Sequence, residues 1–435
     1  MKLLRTILPL VALPAALAAQ DTTQSGVRVG ITYTPGTRPG LAVLPASGGA
    51  VFDSVRAIVR RDLDYSDRFE LIERGMVAPA MQGQDSAVAA IGRTAGARYA
   101  VVVEPANRAD AVRVAVVETE TGRAAFAGEI PVAGAAGPSG RLAIHRAADD
   151  IVRAVVGQPG IAASALLYVR NGRIWRTDAD GANVSQLRTA GFPSLSPAWS
   201  PDARRFAYTA FVRSGQPIVV QDFASGSREL VPGTEMGLNI TPVFSPDGRK
   251  LAFAHGVEAG TDIYLSEARG NSWGQAAAVT AGRFADNLSP AWSPDGSRLA
   301  FISNRARSPQ VYVMGSDGTG QEVLARFDFG ATGQSSAPAW SPDGSSIAFH
   351  REVRGDPQIF ILDVATRGLR QITGSGRNED PTWSPDSRHL AFVSSRTGQR
   401  EIWVVDLETG RLRQITTGGG ARLPAWSPRF DEGRE

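Results

Sequence analysis

The chain has 435 residues, no cysteine and a formal net charge of +3, which excludes disulfides, thiol chemistry and a lipid anchor on an N-terminal cysteine. Nearly all of its positive charge is arginine, and it is scattered, so the basic face with interleaved aromatics of a nucleic-acid binder is missing. Its 47 glycines and 27 prolines suit many turns better than long helices.

Residues 1–19 read as an export signal: Lys2 and Arg5 lead an apolar run over 7–19, and Ala16-Leu17-Ala18 gives the small-x-small cleavage pattern. That run is too short to stay in a bilayer as a helix, and no later segment is longer. Residues 20–160 read as a small α/β domain after a polar, unpatterned start at 20–24. Strands are expected at 27–31 and 41–44, and a helix carries Phe52, Val55, Val59 and Leu63 on one face. A strand follows at 69–72, a helix at 87–95 and a buried strand at 99–103. Val112, Val114 and Val116 alternate as a strand that 126–132 can pair with. A last helix aligns Ile144, Ala148, Ile151 and Val155, and Pro159-Gly160 ends it.

From 161 to 435 the chain repeats. Six short segments match one another, the first being Pro197-Ala198-Trp199-Ser200-Pro201-Asp202, with aromatics at Trp199, Phe244, Trp292, Trp340, Trp383 and Trp426. The spacings are 45, 48, 48, 43 and 43 residues, about the length of one four-stranded propeller blade. Each unit holds four short strands, a to d, joined by Pro-Asp-Gly and similar turns. A b-c-d set at 166–187 precedes the first a strand, and a lone a strand at 424–427 follows the last d strand. Pairing these two closes a six-bladed ring and removes the exposed edges. The fold expected is an α/β N-terminal domain plus an all-β six-bladed β-propeller with terminal-strand closure.

No catalytic, metal or cofactor site emerges. Asp202, Asp247, Asp295, Asp343 and Asp386 sit one per blade in identical turns, which favours turn-building over a metal cluster. The six aromatics read as packing between blades. The Gly-x-Ser-x-Gly match at 270–274 joins two strands rather than forming a strand-to-helix elbow, so it reads as chance. His145, His255, His350 and His389 lack metal-ligand spacing, and no phosphate loop is present.

These features together resemble the TolB family of the Tol-Pal envelope system. The similarity rests on Val27-Arg28-Val29, the segment from Arg38-Pro39-Gly40 to Leu44-Pro45, Gly96-Ala97-Arg98-Tyr99 leading into Val103, and the six repeats ending at Pro428. The resemblance implies a monomeric periplasmic scaffold rather than an enzyme. It would bind the peptidoglycan-associated lipoprotein Pal, couple to TolA and meet other outer-membrane proteins, so supporting membrane integrity and cell division. The implied Pal-facing loops precede the a strands, at Leu238, Asn239 and Thr241, Asn287 and Leu288, and Asn378, Glu379 and Asp380. Their alternative reading is turn-building. A regulatory N-terminal segment is expected to include Gln20, Asp21, Val27, Arg28 and Val29. Alternative functions are a propeller accessory to a hydrolase or lyase, or a glycan-binding propeller.

Overall fold

The computed structural model describes residues 38–46, 48–73, 83–108, 110–131, 138–257, 260–270, 272–282, 285–325 and 333–430. The signal at 1–19, the strand at 27–31, and Gln20, Asp21, Val27, Arg28 and Val29 lie outside the described residues.

The first unit runs β1 (Gly40–Val43), α1 (Ala50–Tyr65), β2 (Glu70–Ile72), α2 (Asp85–Thr94), β3 (Tyr99–Pro105), β4 (Ala111–Glu118), β5 (Ala124–Pro131) and α3 (Pro138–Val156). Its sheet order is β2-β1-β3-β4-β5. The β1 pairings are parallel, and the β3–β4 and β4–β5 pairings are antiparallel. Strand side chains alternate between faces. Leu41, Val43, Val101 and Val103 therefore meet α1 and α3 in one core cluster, while Ala42, Leu44, Ala100 and Val102 meet α2 in another. Burial on both faces explains why these strands read as unbroken apolar runs. At Gly92 in α2, a Cβ would lie 2.5 Å from Thr119 Cγ2 and 2.9 Å from Ala100 Cβ; glycine here lets the helix approach the sheet.

Six sheets of antiparallel strands follow. Blade one comprises Ser194–Trp199, Arg205–Ala210, Ile218–Asp222 and Arg228–Leu230. The a strands of blades two to five are Asn239–Phe244, Asn287–Trp292, Ser335–Trp340 and Asn378–Trp383. Blade six joins the two ends of the array. Its a strand, Arg422–Trp426, pairs antiparallel with Ala165–Arg170, with Ala425 opposite Leu167 and Trp426 opposite Leu166.

The repeated residues explain the ring. All six aromatics are buried, each removing on the order of 200 Å² from water, up to ~5 kcal/mol at ~25 cal/mol per Å². The indole N–H groups of Trp199, Trp292 and Trp383 donate across to the preceding blade, at Ala425, Val243 and Ala339. In the turns, Asp202, Asp247, Asp295, Asp343 and Asp386 each accept from the serine two residues earlier and from the backbone N–H two residues later. The Gly-x-Ser-x-Gly segment lies on a strand pairing, with Ser272 opposite Arg269 and Trp273 opposite Ala268; Asn271 is outside the described residues.

Candidate protein-binding face

Each a strand bends once before its proline. Ser196, Thr241, Ser289, Ala337, Asp380 and Leu423 all have φ of 50–54°, and the ladder register shifts at each of these places. Six non-glycine residues in the left-handed region mark six bulges. The bulges bring these residues and the prolines after them around a central cavity of about 200 Å³. Asp380 is the one acidic residue among the six. Burial raises its pKa above the usual carboxylate range. Its N–H donates to His350 Nδ1 at 3.1 Å, so that nitrogen is an acceptor and carries no proton.

The eight sequence candidates divide by environment. Asn239, Asn287 and Asn378 are fully buried and fix the loops from within. Asn239 donates to the carbonyls of Thr234 and Met236. Asn287 donates to Asp262 and accepts from Arg305 at 2.8 Å. Asn378 donates to Gln358, Ser375 and Gly376 and accepts from Arg396. Their amide groups are thus engaged within the chain. Thr241 and Asp380 line the central cavity. Leu288 is half-buried between blades two, three and four. Glu379 is held by Arg377 and Arg400, each at 3.3 Å. Leu238 is exposed.

Leu238 belongs to an apolar surface that extends beyond the sequence candidates. Phe192 is 60% exposed, Met236 73% and Val212 41%. The loops carrying them are tied together: Phe192 N–H donates to Phe211, and Gln216 N–H donates to Gly237. The periodic strand pattern did not single out these loop residues; a large apolar side chain inside a turn segment was the available signal.

The α/β unit meets blades five and six on the opposite face of the ring, through two buried charge clusters. At the first, Asp67 accepts from Arg413 and faces His389 Nε2 at 3.3 Å, while His389 Nδ1 lies 3.0 Å from Asp386. Arg388 donates to the Asp67 carbonyl and grips Asp406 with two bonds. Burial alone would lower the His389 pKa, but Asp386 and Asp67 raise it. Burial would raise Asp67, but His389 and Arg413 hold it below the usual range. At the second cluster, His145 Nδ1 lies 2.6 Å from Asp62 and Nε2 lies 3.6 Å from Asp178, with Arg61 and Arg141 on Asp180. Burial opposes the imidazolium, but Asp62 and Asp178 raise its pKa to about 10. Asp67, His389 and Asp406, and likewise Asp62, His145 and Asp180, come close enough to suit a cation, yet arginines already neutralise both groups.

A closed six-bladed propeller with an α/β unit on one face and loops presented on the other defines the architectural class of the chain. A sequence model described as the TolB beta propeller domain matches residues 153–330 and 325–432, and the chain belongs to that family. The Tol-Pal system protein TolB of Methylococcus capsulatus is 32% identical over 202 residues, 44% of this chain and 47% of that protein. That of Thioalkalivibrio sulfidiphilus is 33% identical over 255 residues, 55% of this chain and 56% of that protein. The chain thus spans about half the length of the curated relatives it matches. The crystal structure of TolB from Acinetobacter baumannii superposes with a TM-score of 0.75 at 25% identity, covering 90% of this chain and 97% of that one.

Proposed function

We propose that the chain is a non-catalytic, periplasmic component of a Tol-Pal system, with a signal at 1–19, an α/β domain at 20–160 and a propeller at 161–435. Its open ring face binds the Pal lipoprotein, and its N-terminal segment, with Gln20, Asp21, Val27, Arg28 and Val29, couples to TolA. Association with the envelope runs through these partners, and the activity keeps the outer membrane attached and supports division. The observation that carries the reading is the exposed apolar group of Phe192, Met236 and Leu238 beside the polar ring entrance. An apolar centre with a polar rim is how a protein-binding surface is built, and loops on a rigid scaffold commonly carry it. Leu238, Thr241, Leu288, Glu379 and Asp380 are the contacts offered from the sequence candidates, with Asn239, Asn287 and Asn378 shaping the loops beneath.

Calorimetric titration with the soluble domain of Pal tests this reading. A dissociation constant of about 1 µM or tighter is expected, weakened at least about tenfold by M236D. Absence of heat at about 100 µM of each protein would reject the reading.

A further inference from the structure

Between α3 and the turns of blades six and one lies a cavity of about 880 Å³, on the face of the ring turned toward the α/β unit. Leu142, Ala203, Phe223 and Phe430 line it, with buried His145, half-buried Arg176 and the carboxylates of Asp178 and Asp222. Cavities of this size commonly hold small molecules.

Arg176 departs from the internal repeat. In five blades the b–c register places an aliphatic residue opposite an alanine: Val220 on Ala207, Leu265 on Ala252, Val313 on Ala300, Ile361 on Ala348 and Val404 on Ala391. The same register in blade six pairs Leu167 with Arg176. Four of the five aliphatic side chains are buried, so the position is built for apolar packing. A guanidinium there gives up that packing and is partly desolvated.

The chain packs aromatic rings around this half-buried cation and gives its donors no protein acceptor among the described residues. The guanidinium carbon lies 5.7 Å from the ring centres of Trp199 and Phe223 and 5.3 Å from that of Phe430. Ring faces stabilise a cation but do not accept its in-plane N–H bonds in full. Among the described residues, no oxygen accepts a hydrogen bond from Arg176. Asp178, two residues on, attracts Arg176 through its charge without bonding it; its oxygens are engaged by Asn183 at 2.7 Å and face Arg141 and His145.

We propose that Arg176 is the anion-recognition group of a ligand pocket that takes a carboxylate carried on an aromatic body. The planar fork of arginine matches a carboxylate with two parallel bonds, and Phe223 and Phe430 supply the apolar wall for the ring. The site lies on the face opposite the proposed Pal surface, so it stands independently of that reading. The carboxylate can come from a free aryl acid or from the C-terminus of a peptide ending in phenylalanine.

Calorimetry on the full chain with 3-phenylpropionate, with Ala-Ala-Ala-Phe and with the C-terminal amide of each separates the cases. Both or either acid is expected to bind at least about tenfold more tightly than its amide, and the tighter acid identifies the source. R176L installs the residue type found at Leu265, so it should fold with equal or greater resistance to urea while losing the preference for acid over amide. R176K should keep a reduced preference. Equal affinity for acid and amide, no binding of either acid at about 5 mM, or acid binding unchanged in R176L would overturn the proposal and leave Arg176 a hydrated residue.

Discussion

Ser427 and Ala165 bond reciprocally: the Ser427 N–H donates to the Ala165 carbonyl at 2.8 Å, and the Ala165 N–H donates to the Ser427 hydroxyl at 2.9 Å. The other blades make the second of these bonds locally. Ser200, Ser245, Ser293, Ser341 and Ser384 each accept from the N–H five residues later. In blade six the same bond spans 262 residues, so a local turn feature becomes the clasp of the ring. S427A leaves a buried N–H without its partner, and we expect a loss of about 1–3 kcal/mol in urea unfolding. A loss below about 0.3 kcal/mol would show that the clasp is redundant.

The buried pair of Asp67 and Arg413 joins units that lie far apart in the chain. Asp67 keeps His389 at 3.3 Å and Arg411 at 3.2 Å when Arg413 is removed, so R413M should cost less than the roughly 3–5 kcal/mol of a fully uncompensated charge. The R413M/D67N double variant should be less destabilised than the sum of the two single variants. Additive effects in the four-member cycle would mean that the two groups are not coupled.

Stability should fall on both sides of a window near pH 4 to 6.5. His145 and His389 have raised pKa values in the fold. Their contribution is complete below the unfolded value of about 6.5. It is lost as pH rises through the folded value, about 10 for His145. Asp406 moves the other way: burial would raise it, but Arg388 and His389 hold it at about 2. Its contribution is present above about 4 and is lost as pH falls. Denaturant titrations at pH 6 and pH 9.5 should differ by on the order of 3 kcal/mol. The H145N/H389N variant should be less stable at pH 6 and fall less between the two, with the remaining fall set by Asp149, whose carboxyl burial raises to about 7. Stability that rises above pH 6.5 in the unmodified chain would contradict this.

F192D and M236D should leave unfolding within about 0.5 kcal/mol of the parent, because both side chains are largely solvent-exposed. Their effect should appear only in Pal affinity. A large loss of stability would place these side chains in the packing rather than in a binding surface.

The ring was legible because its determinants are local and repeated. Trp292, Ser293 and Asp295 specify strand, clasp and turn within four residues, and the incomplete first and last sets called for closure. The loops were legible only as places. Nothing in the sequence separated buried Asn287 from exposed Leu238, since burial in a loop depends on what the neighbouring hairpin supplies, here Arg305. The capping of one face was not legible either. Asp67 meets His389 across 322 residues, and no periodicity links a helix end to a blade. Arg176 lay in plain view as a break in the aliphatic positions, but its meaning needed the register and the three rings around it.

Hydrogen exchange with and without the soluble domain of Pal tests the central claim most directly. Slowed exchange confined to the loops bearing Phe192, Val212, Met236 and Leu238 and to the cavity rim near Thr241 and Asp380 is the predicted result. Protection confined to α1, α3 and the turns around His389, with the open ring face unchanged, would contradict it.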